Sequence, residues 1–159
     1  MTSEIISASP DHEIVSSRIV NAPVETVFEA WSDPRHLKEW WGPADFTNTF
    51  NEFDFRVGGK WKFIMHGPER GNYPNECEFT RIEKPVLIEW KRFSKPLFQV
   101  VAAFEEVSAN QTKIVFKQLF ETADECRKVK AFAVDKNEEN FDRLESELAK
   151  MIYEAEQVL

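Results

Sequence analysis

Two cysteines and three histidines are all that this 159-residue chain offers a soft metal, and their spacing is wrong for one. Cys77 and Cys126 belong to no CxxC pair, and His12, His36 and His66 form neither HxH nor HExxH. No zinc-type ligand set is expected. There are only five glycines. Neither GxGxxG nor GxxxxGK followed by Ser or Thr occurs, which removes the dinucleotide and phosphate-loop fingerprints. GxSxG is absent too, so no nucleophile elbow is in view. No cofactor is implied. No run of about 18 apolar residues could cross a bilayer, and no basic, apolar N-terminal segment reads as a signal peptide. The expectation is a cytoplasmic protein with reduced thiols and no disulfide. Basic charge is in deficit as well. Twenty Lys and Arg stand against 28 Asp and Glu, for a net charge of −8. Nothing general draws such a chain to nucleic acid or to an anionic membrane. The densest basic cluster, Lys128 to Lys130, has acidic neighbours and reads as a solvated face.

Aromatic rings are in surplus, with 14 Phe and five Trp. They either build a bulky core or line a cavity. The length suits one domain, expected over residues 13–159 behind a loose polar tail at 1–12, where only "EII" could extend a strand.

Periodicity sets the element order. "EIVSSRIV", Glu13 to Val20, is β-branched and reads as a strand. Pro23 opens a helix whose face carries Val24, Val27, Phe28 and Trp31. Asp33 and Pro34 repeat the cap-and-proline signal for a second short helix, ending near Gly42. About six strands then follow with short links, too short for parallel crossovers, so the sheet is an antiparallel meander. Gly58 and Gly59 are followed by a strand rather than a helix, so they read as a two-residue turn with positive φ. A short helix is expected after Thr122. A separate long one follows from about Asn137, with the stripe Phe141, Leu144, Leu148, Met151, Ile152 and Ala155. The fold class is α+β: a curved antiparallel sheet wrapped around a long C-terminal helix, with two short helices after the first strand.

Alternation within strands assigns an inward face. It carries Trp61, Phe63 and Met65, then Val86, Ile88 and Trp90, then Phe98, Val100, Ala102 and Phe104, then Ile114 and Phe116. The same phase turns Arg92 and Gln118 inward, where they could fix the polar end of a ligand, or else leaves them in solvent at strand ends. The phase of Glu76 and Glu78 is open, because a one-residue slip reverses them. Of the adjacent Trp40 and Trp41, one reads as core and the other as core or pocket mouth. An exposed Trp there would suit a homodimer patch.

These residues resemble a family. "NAPVETVFEAWSDPRHLKEWWGP" is similar to the alanine–proline helix segment and following WWGP of the START-like (SRPBCC) superfamily. Within it, the branch resembled is the C-terminal domain of the activator of heat-shock protein 90 ATPase and its bacterial relatives. "DFRVGGKWKFIM" resembles that branch's hairpin, and "FDRLESEL" its terminal helix, so the likeness runs over roughly residues 13–152. The resemblance implies a helix-grip fold with an apolar cavity between sheet and helix. Many relatives carry Gly-Trp before the terminal helix; "DKNEEN" here has neither, so no role of that Trp carries over. No N-terminal domain like that of the eukaryotic activator is expected either.

The leading expectation is a binding protein for a small apolar or lipid-like molecule. Its candidate lining is Trp61, Phe63, Met65, Trp90, Phe104 and Phe116 from the sheet and Phe141, Leu144 and Leu148 from the helix, with Arg92 and Gln118 as polar contacts. The alternatives are a module that modulates a chaperone ATPase, and a START-like enzyme of cyclase or hydrolase type using Arg92, Gln118 and Glu78.

Overall fold

The computed structural model describes residues 10–158, so most of the expected tail and the "EII" segment lie outside the described residues. The first strand, β1 (Glu13–Val20), buries Ile14, Ser16 and Val20 and turns Val15 and Ile19 to solvent. Helix α1 (Val24–Ser32) buries Val24, Val27, Phe28 and Trp31, the face that the 3.6-residue period marks out. Asp33 ends one helix and starts the next. Its N–H donates to the Glu29 carbonyl, while its carboxylate accepts from the Arg35 N–H at 2.9 Å, with Pro34 in the first turn of α2 (Pro34–Trp40). The Arg35 guanidinium also holds this carboxyl below its usual range.

Six strands follow: β2 (Thr47–Phe53), β3 (Lys60–His66), β4 (Asn72–Glu83), β5 (Leu87–Arg92), β6 (Gln99–Ser108) and β7 (Gln111–Leu119). They pair antiparallel in chain order, and β1 closes on β7, giving one seven-stranded sheet in the order β1-β7-β6-β5-β4-β3-β2. Register shifts at Phe50/Glu52, Phe79/Arg81 and Glu106/Ser108 each insert an irregularity of the kind that bends a strand. The expected inward face holds at Ile88, Trp90, Val100, Ala102, Phe104, Ile114 and Phe116, all buried. Val86 departs from it: it lies in the β4–β5 turn and is exposed.

The glycine pair does not form a two-residue turn. Residues 54–59 make a longer loop, tied by Asp54 N–H to the Lys60 carbonyl and Gly59 N–H to the Arg56 carbonyl. Of the pair, Gly58 alone has positive φ, at +87°. Gly59 is required for closeness: a Cβ there would sit 2.0 Å from the Asp54 carbonyl oxygen.

The C-terminal part is one helix, α3 (Ala123–Val158), 36 residues long, rather than a short helix and a long one. Thr122 caps it, its hydroxyl accepting from the Glu125 N–H, and no Pro or Gly interrupts it. The polar run around Asn137 looks like a break in sequence. On the helix it places Asn137 in a buried stripe with Cys126, Val129, Ala133, then Phe141, Leu144, Leu148 and Met151, beside which Glu147 is the helix's other buried polar side chain. The stripe serves two cores. Cys126, Val129 and Ala133 pack with Ile14 and Phe120; the later residues join the main core under the sheet.

Candidate ligand cavity between sheet and helix

The ring-rich face of the sheet and α3 do not meet everywhere. Between them lies a hollow of about 330 Å³. The sheet contributes Phe63, Met65, Cys77, Trp90, Val100 and Phe116. The loop after α2 contributes Trp41, Gly42, Pro43 and Phe46, and α3 contributes Val129, Phe132, Ala133, Lys136, Asn137 and Asn140. Tyr73, Pro96 and Phe98 complete the apolar rim, with Asn75, Arg92 and Gln118 as polar lining. A larger cleft, about 570 Å³, lies at the other end of α3 beside Glu29, His36 and Met151. Its lining is more polar than that of the hollow and includes the exposed helix residues Glu154 and Glu156, so it fits a surface groove better than an apolar ligand site.

The wall formed by the WWGP segment is pinned in place. Trp40 is core: its ring lies 4.7 Å from that of Trp31, and its N–H donates to the Ala30 carbonyl at 3.0 Å. Trp41 turns toward the sheet, 5.7 Å from Trp90 and 6.2 Å from Phe116, and lines the hollow. Neither Trp is exposed, so neither supplies the dimer patch expected of them. Arg143 on α3 donates to the carbonyls of Glu39, Trp41, Gly42 and Pro43, and Asn140 accepts from the Gly42 N–H at 3.1 Å. The bond to Glu39 satisfies a carbonyl that the end of α2 leaves open, and the others tie down the loop that follows.

The polar lining is ordered by the register. Cys77 on β4 stands opposite Arg92 on β5, so Glu76 and Glu78 point to the other face of the sheet. Glu78 pairs there with Lys60 at 2.8 Å, away from Arg92 and Gln118. Arg92 donates through Nε to the Pro96 carbonyl at 2.9 Å, through Nη2 to the Lys95 carbonyl at 3.2 Å, and through Nη1 to Asn75 Oδ1. Its guanidinium lies 5.2 Å from the Phe98 ring centre. Burial lowers its pKa, opposed by Cys77. Burial likewise pushes the Cys77 thiol up to about 12, which leaves it protonated and a poor nucleophile at neutral pH. Across the hollow Asn137 donates to Gln118 Oε1 at 3.0 Å and to the Ser16 hydroxyl at 3.2 Å.

Of the residues singled out from sequence, Phe63, Met65, Trp90, Arg92, Phe116 and Gln118 come together around the hollow. Trp61, Phe104, Phe141, Leu144 and Leu148 lie in the packed core instead. The helix residues Ala133, Asn137 and Asn140 are not among those expected from sequence: Ala133 falls in the expected short helix, and Asn137 and Asn140 open the expected long one ahead of its apolar stripe, which starts at Phe141. Carried as one helix, the 3.6-residue period would have placed Asn137 on the buried stripe. Both cysteines are free. Spacing also hid one grouping: Glu29, Asp33 and His36 bring potential ligand atoms within 4.8 Å of one another. Asp33 is already engaged by Arg35, and His36 Nδ1 lies 2.8 Å from Glu147.

A bent antiparallel sheet gripping one long helix, with two short helices inserted after its first strand, defines a START-like helix-grip protein. The family described as "Activator of Hsp90 ATPase homolog 1-like protein" matches residues 21–149, and the chain belongs to it. Solved structures agree on the fold. A protein of Nitrosomonas europaea is 17% identical with a TM-score of 0.83, covering 92% of this chain and 99% of its own. One of Arthrobacter aurescens is 24% identical with a TM-score of 0.81, covering 94% and 93%. The AHSA1 protein of Silicibacter pomeroyi is 19% identical with a TM-score of 0.71, covering 87% and 99%. No curated protein matches the chain. Among the described residues no helix is long and apolar enough to cross a membrane.

Proposed function

We propose that this protein binds a small, largely apolar molecule in the hollow between sheet and α3. One observation carries the reading: the hollow is walled by aromatic and aliphatic side chains, with a few polar groups gathered on Arg92, Asn75, Gln118 and Asn137. That is the usual make-up of a ligand pocket, and about 330 Å³ falls at the small end of the common range. As part of the same reading the protein works in the cytoplasm with both thiols reduced; its buried free cysteines suit that setting. A homodimer would have to draw on a surface other than Trp40 and Trp41. The test is native mass spectrometry of protein purified from its own host. A retained small molecule, released on denaturation, is the expected result; a bare chain mass that no apolar compound shifts sinks the proposal.

The family's name favours a second reading, a module that modulates a chaperone ATPase. Adding the protein to the chaperone of its own host and finding the ATPase rate unchanged removes it. For the enzyme alternative, the described lining holds no carboxylate or imidazole to act as a base, and Glu78 faces away from the hollow.

A further inference from the structure

We propose that the ligand of this cavity is an anionic amphiphile, an apolar body ending in a carboxylate, and that Arg92 receives the carboxylate. The inference rests on the cavity-binding reading above and adds the ligand's charge.

Acidic residues outnumber basic ones 28 to 20 in the chain, yet the charged residues lining the hollow are Arg92 and Lys136, with no Asp or Glu. Arg92 is also a half-buried cation with no counter-anion among the described residues. Its partners among the described residues are two backbone carbonyls and the Asn75 amide oxygen, all neutral. A charge taken from water and paired only with dipoles is costly, and an arriving anion offsets that cost. The downward push on its pKa has the same origin. A guanidinium has five N–H groups. Three are used, one each on Nε, Nη1 and Nη2, which leaves one on Nη1 and one on Nη2. Such a pair matches the two oxygens of one carboxylate.

The rest of the lining sets the body of the ligand. Phe63, Trp90, Phe98 and Phe116 offer ring surface and no charge. The volume, about 330 Å³, is roughly twice the engineered cavity of about 150 Å³ that takes benzene. A medium-chain or aryl-alkyl monocarboxylic acid is the matching size.

The test compares decanoate with 1-decanol, equal in chain length and different in charge, by calorimetry and by Trp fluorescence. The expected result is that the protein binds decanoate roughly tenfold tighter or more, as a charge-assisted contact should give. Arg92→Met should bring decanoate to the level of decanol. The preference should also persist at about 0.5 M salt, since a half-buried pair is screened little while attraction to exposed Lys136 fades. Equal affinities in the unmodified protein overturn the charge and leave the cavity reading standing. So does a preference that survives Arg92→Met or disappears in salt. Failure of both compounds to bind overturns both readings. The comparison in the unmodified protein decides the matter even if Arg92→Met fails to fold.

Discussion

The two halves of α3 lie under the same sheet and treat the space beneath it in opposite ways. From Phe141 onward the stripe is Phe141, Leu144, Leu148 and Met151, and the core there is filled. Before Phe141 it is Val129, Ala133 and Asn137, shorter side chains facing equally large rings, and the hollow opens there. The sheet supplies rings along its whole inner face: Trp61 and Phe104 are packed solid, while Trp90 and Phe116 border empty space. Protein interiors close to high density wherever side chains can reach. The difference therefore lies in how far the helix residues reach, and the cavity is a property of residues 129–140 more than of the aromatic excess.

The comparison can be broken from the filled side. Leu144 is fully buried, and Leu144→Ala should cost about 2–5 kcal/mol, read as a large fall in the urea midpoint. A loss below about 1 kcal/mol would show that this half is not tightly packed. At the junction, Asn137→Leu strips Gln118 and Ser16 of their shared donor and should cost about 1–3 kcal/mol despite the added apolar surface. A stabilised variant would show that the polar junction is dispensable.

Cys77, at the border of core and hollow, sharpens the comparison through pH. Burial raises its thiol from 9.0 unfolded to about 12 folded, so between these values the folded chain holds a proton that the unfolded chain releases. Stability from this group is whole below about pH 9 and falls as pH rises toward about 12. Cys77→Ala should flatten that part of the stability curve, and the native thiol should resist alkylation at pH 8 until the chain is unfolded. A native thiol that reacts at the rate of a free one would mean the hollow admits water and reagent freely.

The smallest effect is expected on the hollow side. Ala133→Leu adds atoms next to open space, so stability should stay within about 1 kcal/mol of the unmodified protein while decanol binding weakens. A loss as large as that of Leu144→Ala would erase the distinction between the two halves.

Much of the fold is legible in the sequence because its signals are local. Asp33 and Pro34 mark a helix boundary by cap chemistry, and the alternation Trp61, Phe63, Met65 marks a strand face. Both were found where expected. Half of the candidate site follows from the same alternation, which puts Trp90, Arg92, Phe116 and Gln118 on one side of the sheet. What was illegible depended on partners distant in the chain. The phase of Glu78 needed the Cys77–Arg92 register. Gly59 needed the approach of Asp54, because only closeness, and not its dihedral, demands a missing Cβ there. Asn137 could be seen as part of a buried stripe only once Ser16 and Gln118 stood opposite it.

The sequence by itself determined the elements, their order, the antiparallel meander and the absence of the common metal and phosphate motifs, since caps, periods and link lengths act between near neighbours. The tertiary structure alone decided which rings pack and which border a hollow, that α3 runs unbroken, and that Arg92 sits among neutral partners. Those outcomes depend on what stands across a gap several ångströms wide, and neither the width of that gap nor its contents is written in any one stretch of chain.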